Sequence, residues 1–204
     1  MLVRFDAEPG SDTTRRLAGI ASKLSGQSRI GITELIPAFT TLTVCFDPDR
    51  VDASTVTRMI EQAISDAAPA AFESAVHELP VRYGSEWGPD MSEVCERTGL
   101  SETDIVELHS SRLYTVYLLG FSPGFAYLGD VAPEIHLPRR ANPRPAVPKG
   151  AVAIATSYTA VYPQATAGGW HLIGRTDASL FDVTRASPAL LRPGDRVKFV
   201  PVRS

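Results

Sequence analysis

The chain has 204 residues, 44% of them hydrophobic, and a formal net charge of −3 at pH 7, ordinary values for a soluble globular protein with one large domain or two small ones. The charge is unevenly spread, with 14 acids and 4 bases in Asp47–Glu107 against 11 bases and 5 acids in Arg112–Arg203. The arginines of the second half lie among prolines and glycines, without a helix-turn-helix, zinc or RNA-recognition pattern, which favours a small anion over nucleic acid as partner, and no apolar run approaches the roughly 20 residues of a membrane span.

Leu2–Asp6 reads as a first strand, and Asp12–Leu24 as a helix after the PGSD turn. Ile30, Ile32 and Thr41–Phe46 supply β-branched and aromatic residues for a hairpin turning at Pro37. Asp52 is placed to cap a second helix, whose Val56, Met59, Ile60, Ala63 and Ile64 repeat at helical spacing. A strand near Phe72–Val76 would complete β-α-β-β-α-β, the order of a ferredoxin-like α/β sandwich over residues 1–78. A second domain, 79–204, is expected to begin with the SEWGPD turn and a short helical pair. Asp90 with Glu93 and Ser101 with Asp104 are its start signals, and Gly99 is the stop between the two helices. The acids here, Glu93, Glu96, Glu102, Asp104 and Glu107, read as a solvated face. From Leu113 onward, LYTVYLLG, AVAIATS, TAVYP, WHLIG and RVKFVPV alternate with Gly/Pro turns, which means a barrel or a sandwich. Cys45 and Cys95 belong to no metal or CxxC grouping. They read as free thiols, and with no signal-peptide pattern at the start the cytoplasm is the expected compartment.

The chemistry gathers between Gly120 and Arg175. GFSPGFAYLGD, Gly120–Asp130, combines three glycines, a proline and three aromatics in a shaped loop. PRRANPRPAVPKG, Pro138–Gly150, and VYPQATAGGWHLIGRT, Val161–Thr176, set Arg139, Arg140, Arg144, Lys149 and Arg175 among turns. Gly168 and Gly169 either offer backbone N–H groups to an anion beside the Arg175 fork, or form a plain hairpin bend with Arg175 in a structural ion pair. One of Arg139, Arg140 and Arg144 is expected to face a site. His171 follows the GGW turn, and either shares a cleft with Arg175 or packs in the core or on the surface. Ser122 is not in a nucleophile elbow, the four histidines lack metal spacing, and ATAGGW is no Walker A loop. No complete set of nucleophile, base and oxyanion donors can be assembled, so the chain reads as one part of a composite site.

In this order GFSPGFAYLG, PRRANPRPAVPKG, VYPQATAGGWHLIGRT, LFD at Leu180–Asp182 and PGDRVKF at Pro193–Phe199 resemble the KipI/PxpB family, also called allophanate hydrolase subunit 1 or carboxyltransferase domain, subdomains C and D. Weaker likeness runs upstream through LIPAFTTLTVCFDP and LPVRYGSEWGPD, so it covers nearly the whole chain. The resemblance implies an α+β chain whose second half is a cyclophilin-like β-barrel. It implies the B component of a bacterial 5-oxoprolinase, which carries out ATP-dependent (Mg²⁺-requiring) opening of 5-oxoproline to L-glutamate without a covalent cofactor on this chain. The implied partners are a homologous C component, similar to allophanate hydrolase subunit 2, and an A component. The alternatives are an inhibitor of a sensor histidine kinase, as KipI is, and a carboxyltransferase subunit of a urea-carboxylase type system. Phe125, Tyr127, Arg144, Gly168, Gly169, Trp170, His171 and Arg175 are the expected lining of an anion-binding half-site. Tyr158 and Ala160 stand where the family commonly has glutamine and glycine, and TAGGW replaces SPGGW.

Overall fold

The computed structural model describes residues 1–26, 30–66 and 74–202. Its chain divides into two units, Met1–Ser74 and Ala75–Ser204.

In the first unit the order is β1 Leu2–Arg4, α1 Ser11–Ser25, β2 Ile32–Ala38, β3 Thr41–Phe46 and α2 Ala53–Ser65. The described strands form an antiparallel sheet in the order β1-β3-β2. Leu17, Ile20 and Leu24 recur on one face of α1, and Val56, Ile60 and Ala63 on one face of α2; both stripes bury with Leu42 and Val44 of β3. The Asp52 carboxylate accepts the Thr55 backbone N–H at 2.8 Å, the expected cap. The hairpin does not turn at Pro37. Pro37 pairs opposite Leu42 inside β2, and the reversal falls at Phe39, whose φ is 52°. Among the described strands β2 is an edge, where a residue without an N–H is tolerated. Of the strand expected at Phe72–Val76, residues 72–73 lie outside the described residues, and Val76 opens a strand of the second unit.

That second unit holds β4 Val76–Tyr83, α3 Met91–Thr98, α4 Glu102–Ser110, β5 Leu113–Leu119, β6 Ala126–Gly129, β7 Arg144–Val147, β8 Ala151–Ala155, β9 Tyr158–Val161, β10 Thr166–Gly168, β11 His171–Arg175 and β12 Arg196–Pro201. Seven of these strands close a barrel in the order β11-β4-β12-β5-β6-β9-β8, while β7 and β10 pair as a separate ribbon. The β12–β4 pair is parallel and the other pairs are antiparallel. Gly99 ends α3 with φ 74°, and Ser101 with Asp104 forms a reciprocal capping box on α4. None of the described helices is long and apolar enough to cross a membrane.

The barrel wall has two buried faces, and β8 shows how its sequence makes them. In Ala151-Val152-Ala153-Ile154-Ala155, the branched residues join the interior core and the alanines join a separate outer cluster. The neighbours follow the same period of two: Leu128 and Val161 face inward, Tyr127, Ala160 and Tyr162 outward. Small alanines leave room above the strands, and large rings fill it.

Inside the barrel His109 is fully buried, with Nδ1 2.7 Å from the Tyr83 hydroxyl, Nε2 2.8 Å from the Thr159 hydroxyl, and its ring 4.6 Å from that of Phe199. Burial pushes its pKa down to about 3. Between the ordinary histidine value of about 6.5 and that value, the unfolded chain takes up a proton that the folded chain refuses. This stability is therefore fully present above about pH 6.5 and is lost on acidification by about 1.4 kcal/mol per pH unit. Urea unfolding at pH 7 and pH 5 is expected to show a drop about 2 kcal/mol larger in the wild type than in His109→Gln. An equal drop in the two proteins would contradict the buried neutral imidazole.

Candidate functional site

The outer cluster opens to solvent between β6, the β7–β10 ribbon and the loop that starts at Gly120. Phe125 is its centre, 2% exposed, with edge-on ring contacts to Phe121 at 5.2 Å, Tyr127 at 5.1 Å, Tyr162 at 5.2 Å and Trp170 at 5.8 Å. Edge-to-face contacts of this kind fix rings in place beyond what burial alone does. These five rings, with Arg139, Ala167, Gly168 and Gly169, line a cavity of about 70 Å³. Gly168 is required by close approach, because a Cβ there would lie 2.2 Å from the Tyr162 hydroxyl, whereas one on Gly169 would meet only ordinary contacts. Burial raises the Tyr162 phenol to about 12, against the opposing charge of Arg139. Near neutral pH Tyr162 is therefore a neutral phenol beside a guanidinium. Phe121 stands at the mouth, 63% exposed, on a backbone with φ 78°.

Five of the eight residues expected from sequence thus share one cavity: Phe125, Tyr127, Gly168, Gly169 and Trp170. The other three are placed elsewhere. Arg144 points to Asp90, donating from Nη1 at 2.9 Å and from Nη2 at 2.5 Å. Arg140 donates to the same carboxylate at 2.9 Å and to Glu93. Asp90 also accepts the backbone N–H of Leu172 at 2.7 Å, and its side chain is only 4% exposed. It makes no side-chain cap on α3. The helix does start where Asp90 and Glu93 signal it, with Asp90 at the N-cap position, but the Asp90 side chain is taken up by an ion cluster that ties α3 to the loop before β7 and to β11, and Glu93 is no free member of a solvated face. His171 is wholly buried, with Nε2 3.0 Å from the Pro138 carbonyl and Nδ1 3.7 Å from Glu93. Arg175 sits at the far end of β11 from Trp170 and borders a different hollow.

The cation that does face the rings is Arg139, which is exposed. Its backbone neighbour Arg140 donates its N–H to the Gly169 carbonyl at 2.8 Å, fastening the arginine loop to the glycine turn. Sequence reasoning passed over Phe121 and Tyr162 as lining. Tyr162 was visible in principle, two positions beyond Ala160 on the outward face. Tyr158, at a position where the chain departs from the family pattern, packs edge-on to Tyr127 at 6.3 Å and to Tyr117 at 6.2 Å, behind the cavity wall. Chemically the cavity offers a cation, two tyrosines and apolar walls, enough to hold a carboxylate and the start of a small ring. Its lining contains no nucleophile and base pair.

A model of the family described as carboxyltransferase domain, subdomain C and D, matches residues 1–191. Among curated proteins, the 5-oxoprolinase B component of Escherichia coli O157:H7 is 47% identical over 171 residues, which cover 83% of this chain and 78% of that protein. The Bacillus subtilis (strain 168) protein of the same description is 38% identical over 213 residues, covering 99% of this chain and 89% of its own. Among solved structures, that of TTHA0988 superposes with a TM-score of 0.89 at 37% identity over the whole of this chain, which spans 40% of the TTHA0988 chain. The conserved uncharacterized protein PH0987 from Pyrococcus horikoshii, also 37% identical, gives a TM-score of 0.61 over 98% of this chain and 93% of its own.

Proposed function

Since the chain belongs to the carboxyltransferase domain, subdomain C and D, family of KipI/PxpB proteins, we propose that it is the B component of a 5-oxoprolinase, an ATP-dependent hydrolase that opens 5-oxoproline to L-glutamate. The observation that carries this reading at the level of the site is the shape of the cavity: one guanidinium over a box of rings, of about 70 Å³ and without a nucleophile. It suits the carboxylate and one face of a five-membered lactam, and it leaves the reacting amide to groups from elsewhere. Ligand sites of complete proteins commonly measure about 300–1,000 Å³. The missing volume and chemistry are expected from the homologous C component, with the A component as the further member of the complex.

ATP with Mg²⁺ serves the reaction of the complex by activating a lactam carbonyl that water attacks slowly. The aromatic cavity does not fit it, being too small for a nucleotide and offering one cation to a triphosphate, so no nucleotide step is assigned to this chain. What its own residues do is bind and orient: Arg139 pairs with the substrate carboxylate, and the rings exclude water around the apolar edge of the lactam. We assign the first unit to the ferredoxin-like sandwiches, on its β-α-β-β-α order and β1-β3-β2 sheet, and the second to the cyclophilin-like barrels. A cytoplasmic location accords with the free thiols of Cys45 and Cys95.

Glutamate release from 5-oxoproline and ATP, measured with the purified A and C components and with or without this chain, tests the reading. Release at least tenfold faster with the chain present is expected. Equal turnover in its absence would remove the proposal.

A further inference from the structure

Arg175 borders a second hollow of the barrel unit. It measures about 270 Å³ and is lined by the apolar Pro80, Ala178 and Val202 together with Arg82, Arg175, Thr176 and Asp177. The two arginines of its lining both approach one indole outside that lining: the carbon of Arg82 lies 4.8 Å and that of Arg175 5.9 Å from the centre of the Trp87 ring. Cation–π attraction favours both positions. Arg82 is paired with Asp177, with Nη2 2.8 Å from the carboxylate. Arg175 has no carboxylate partner among the described residues, and its Nε is buried without a hydrogen-bond acceptor. A buried donor left unpaired costs folding free energy, and a guanidinium without a carboxylate partner keeps its charge available to an oxyanion.

We propose that this hollow is a binding site for a small monocarboxylate with a compact apolar body, the carboxylate taken by Arg175 and the body lying against Pro80, Ala178 and Val202. The planar fork of arginine matches a carboxylate in two-point contact, and three apolar walls favour a ligand whose remainder is uncharged. The volume suits a ring of five or six atoms and excludes a nucleotide. Trp170 and Arg175 stand at opposite ends of β11, so this site is distinct from the aromatic cavity and does not depend on the function proposed for it.

The chain's two tryptophans separate the sites, because Trp170 lines the aromatic cavity and Trp87 meets Arg175. In the full chain carrying ¹⁵N-labelled tryptophan, the indole N–H signals are assigned with Trp87→Phe. They are then followed during titration with cyclopentanecarboxylate, with 5-oxoproline and with neutral cyclopentanecarboxamide. A saturable shift of the Trp87 signal with both carboxylates and not with the amide is expected. Arg175→Gln should raise the midpoint at least tenfold, and Arg175→Lys, which keeps the charge and loses the fork, should raise it by less. A Trp87 signal that stays still, moves equally with the amide, or responds unchanged in both Arg175 variants would overturn the site. Movement of Trp170 alone would overturn it too, while leaving the aromatic cavity as the carboxylate site.

Discussion

Replacing Asp90 by alanine is expected to lower the thermal midpoint of the protein by about 10 °C. Asp90 is buried and accepts from Arg140, from both Nη atoms of Arg144 and from the Leu172 backbone. Removing one member of a buried ion cluster leaves the others uncompensated, at a cost of about 3–5 kcal/mol. Both arginines keep some exposure, 24% and 27% of their side chains, so water reaches them and the lower end applies. The Leu172 N–H has no such escape. About 3 kcal/mol in a unit of this size corresponds to a shift of roughly 10 °C. The comparison is Asp104→Ala, which removes an exposed capping box and should lower the midpoint by much less. Calorimetric scans of the three proteins check the order. A midpoint for Asp90→Ala within 2 °C of wild type would mean that the cluster contributes little.

The second large effect falls on substrate and leaves the fold untouched. Arg139→Ala is expected to raise KM for 5-oxoproline in the assembled enzyme by about 10- to 100-fold, the loss of a charge-assisted hydrogen bond worth about 1.5–3 kcal/mol. Its melting should match wild type, because the side chain is exposed and makes no ion pair among the described residues. Arg144→Ala should do the reverse, losing stability through Asp90 with a smaller change in KM. Steady-state kinetics and melting curves on the two variants form a crossed pair. A KM for Arg139→Ala equal to wild type, or a pair that behaves alike, would contradict the separate roles assigned to these neighbours.

The contrast between the two arginines also shows what could be read from the chain before its structure. The aromatic wall was legible from the clustering of rings and glycines in GFSPGFAYLGD and GGW, although the first stretch reads as a loop and in fact enters strand β6 at Ala126, which sets Tyr127 on the outward face. The destinations of the guanidinium groups were not legible. A long flexible side chain among turns can reach several acceptors, and the carboxylate that captures Arg140 and Arg144 lies 50 and 54 residues earlier, inside what reads as a helix-start signal. For the same reason the basic excess of the second half overstated the charge available to a ligand, since part of it is neutralised within the unit. Strand β4 was obscured by Pro80, which interrupts the alternation and lacks an N–H, yet pairs opposite Val200 in the barrel. The hairpin of the first unit was misplaced by the same residue type: Pro37 marked the edge strand, and Phe39 made the turn.

Most direct of all would be a structure of this chain assembled with its homologous C component in the presence of 5-oxoproline. The substrate carboxylate is expected within hydrogen-bonding distance of the Arg139 guanidinium, its ring against Phe125 and Trp170, with partner residues covering the mouth at Phe121. An assembled enzyme in which that mouth stays open to water while 5-oxoproline is held by other residues would contradict it.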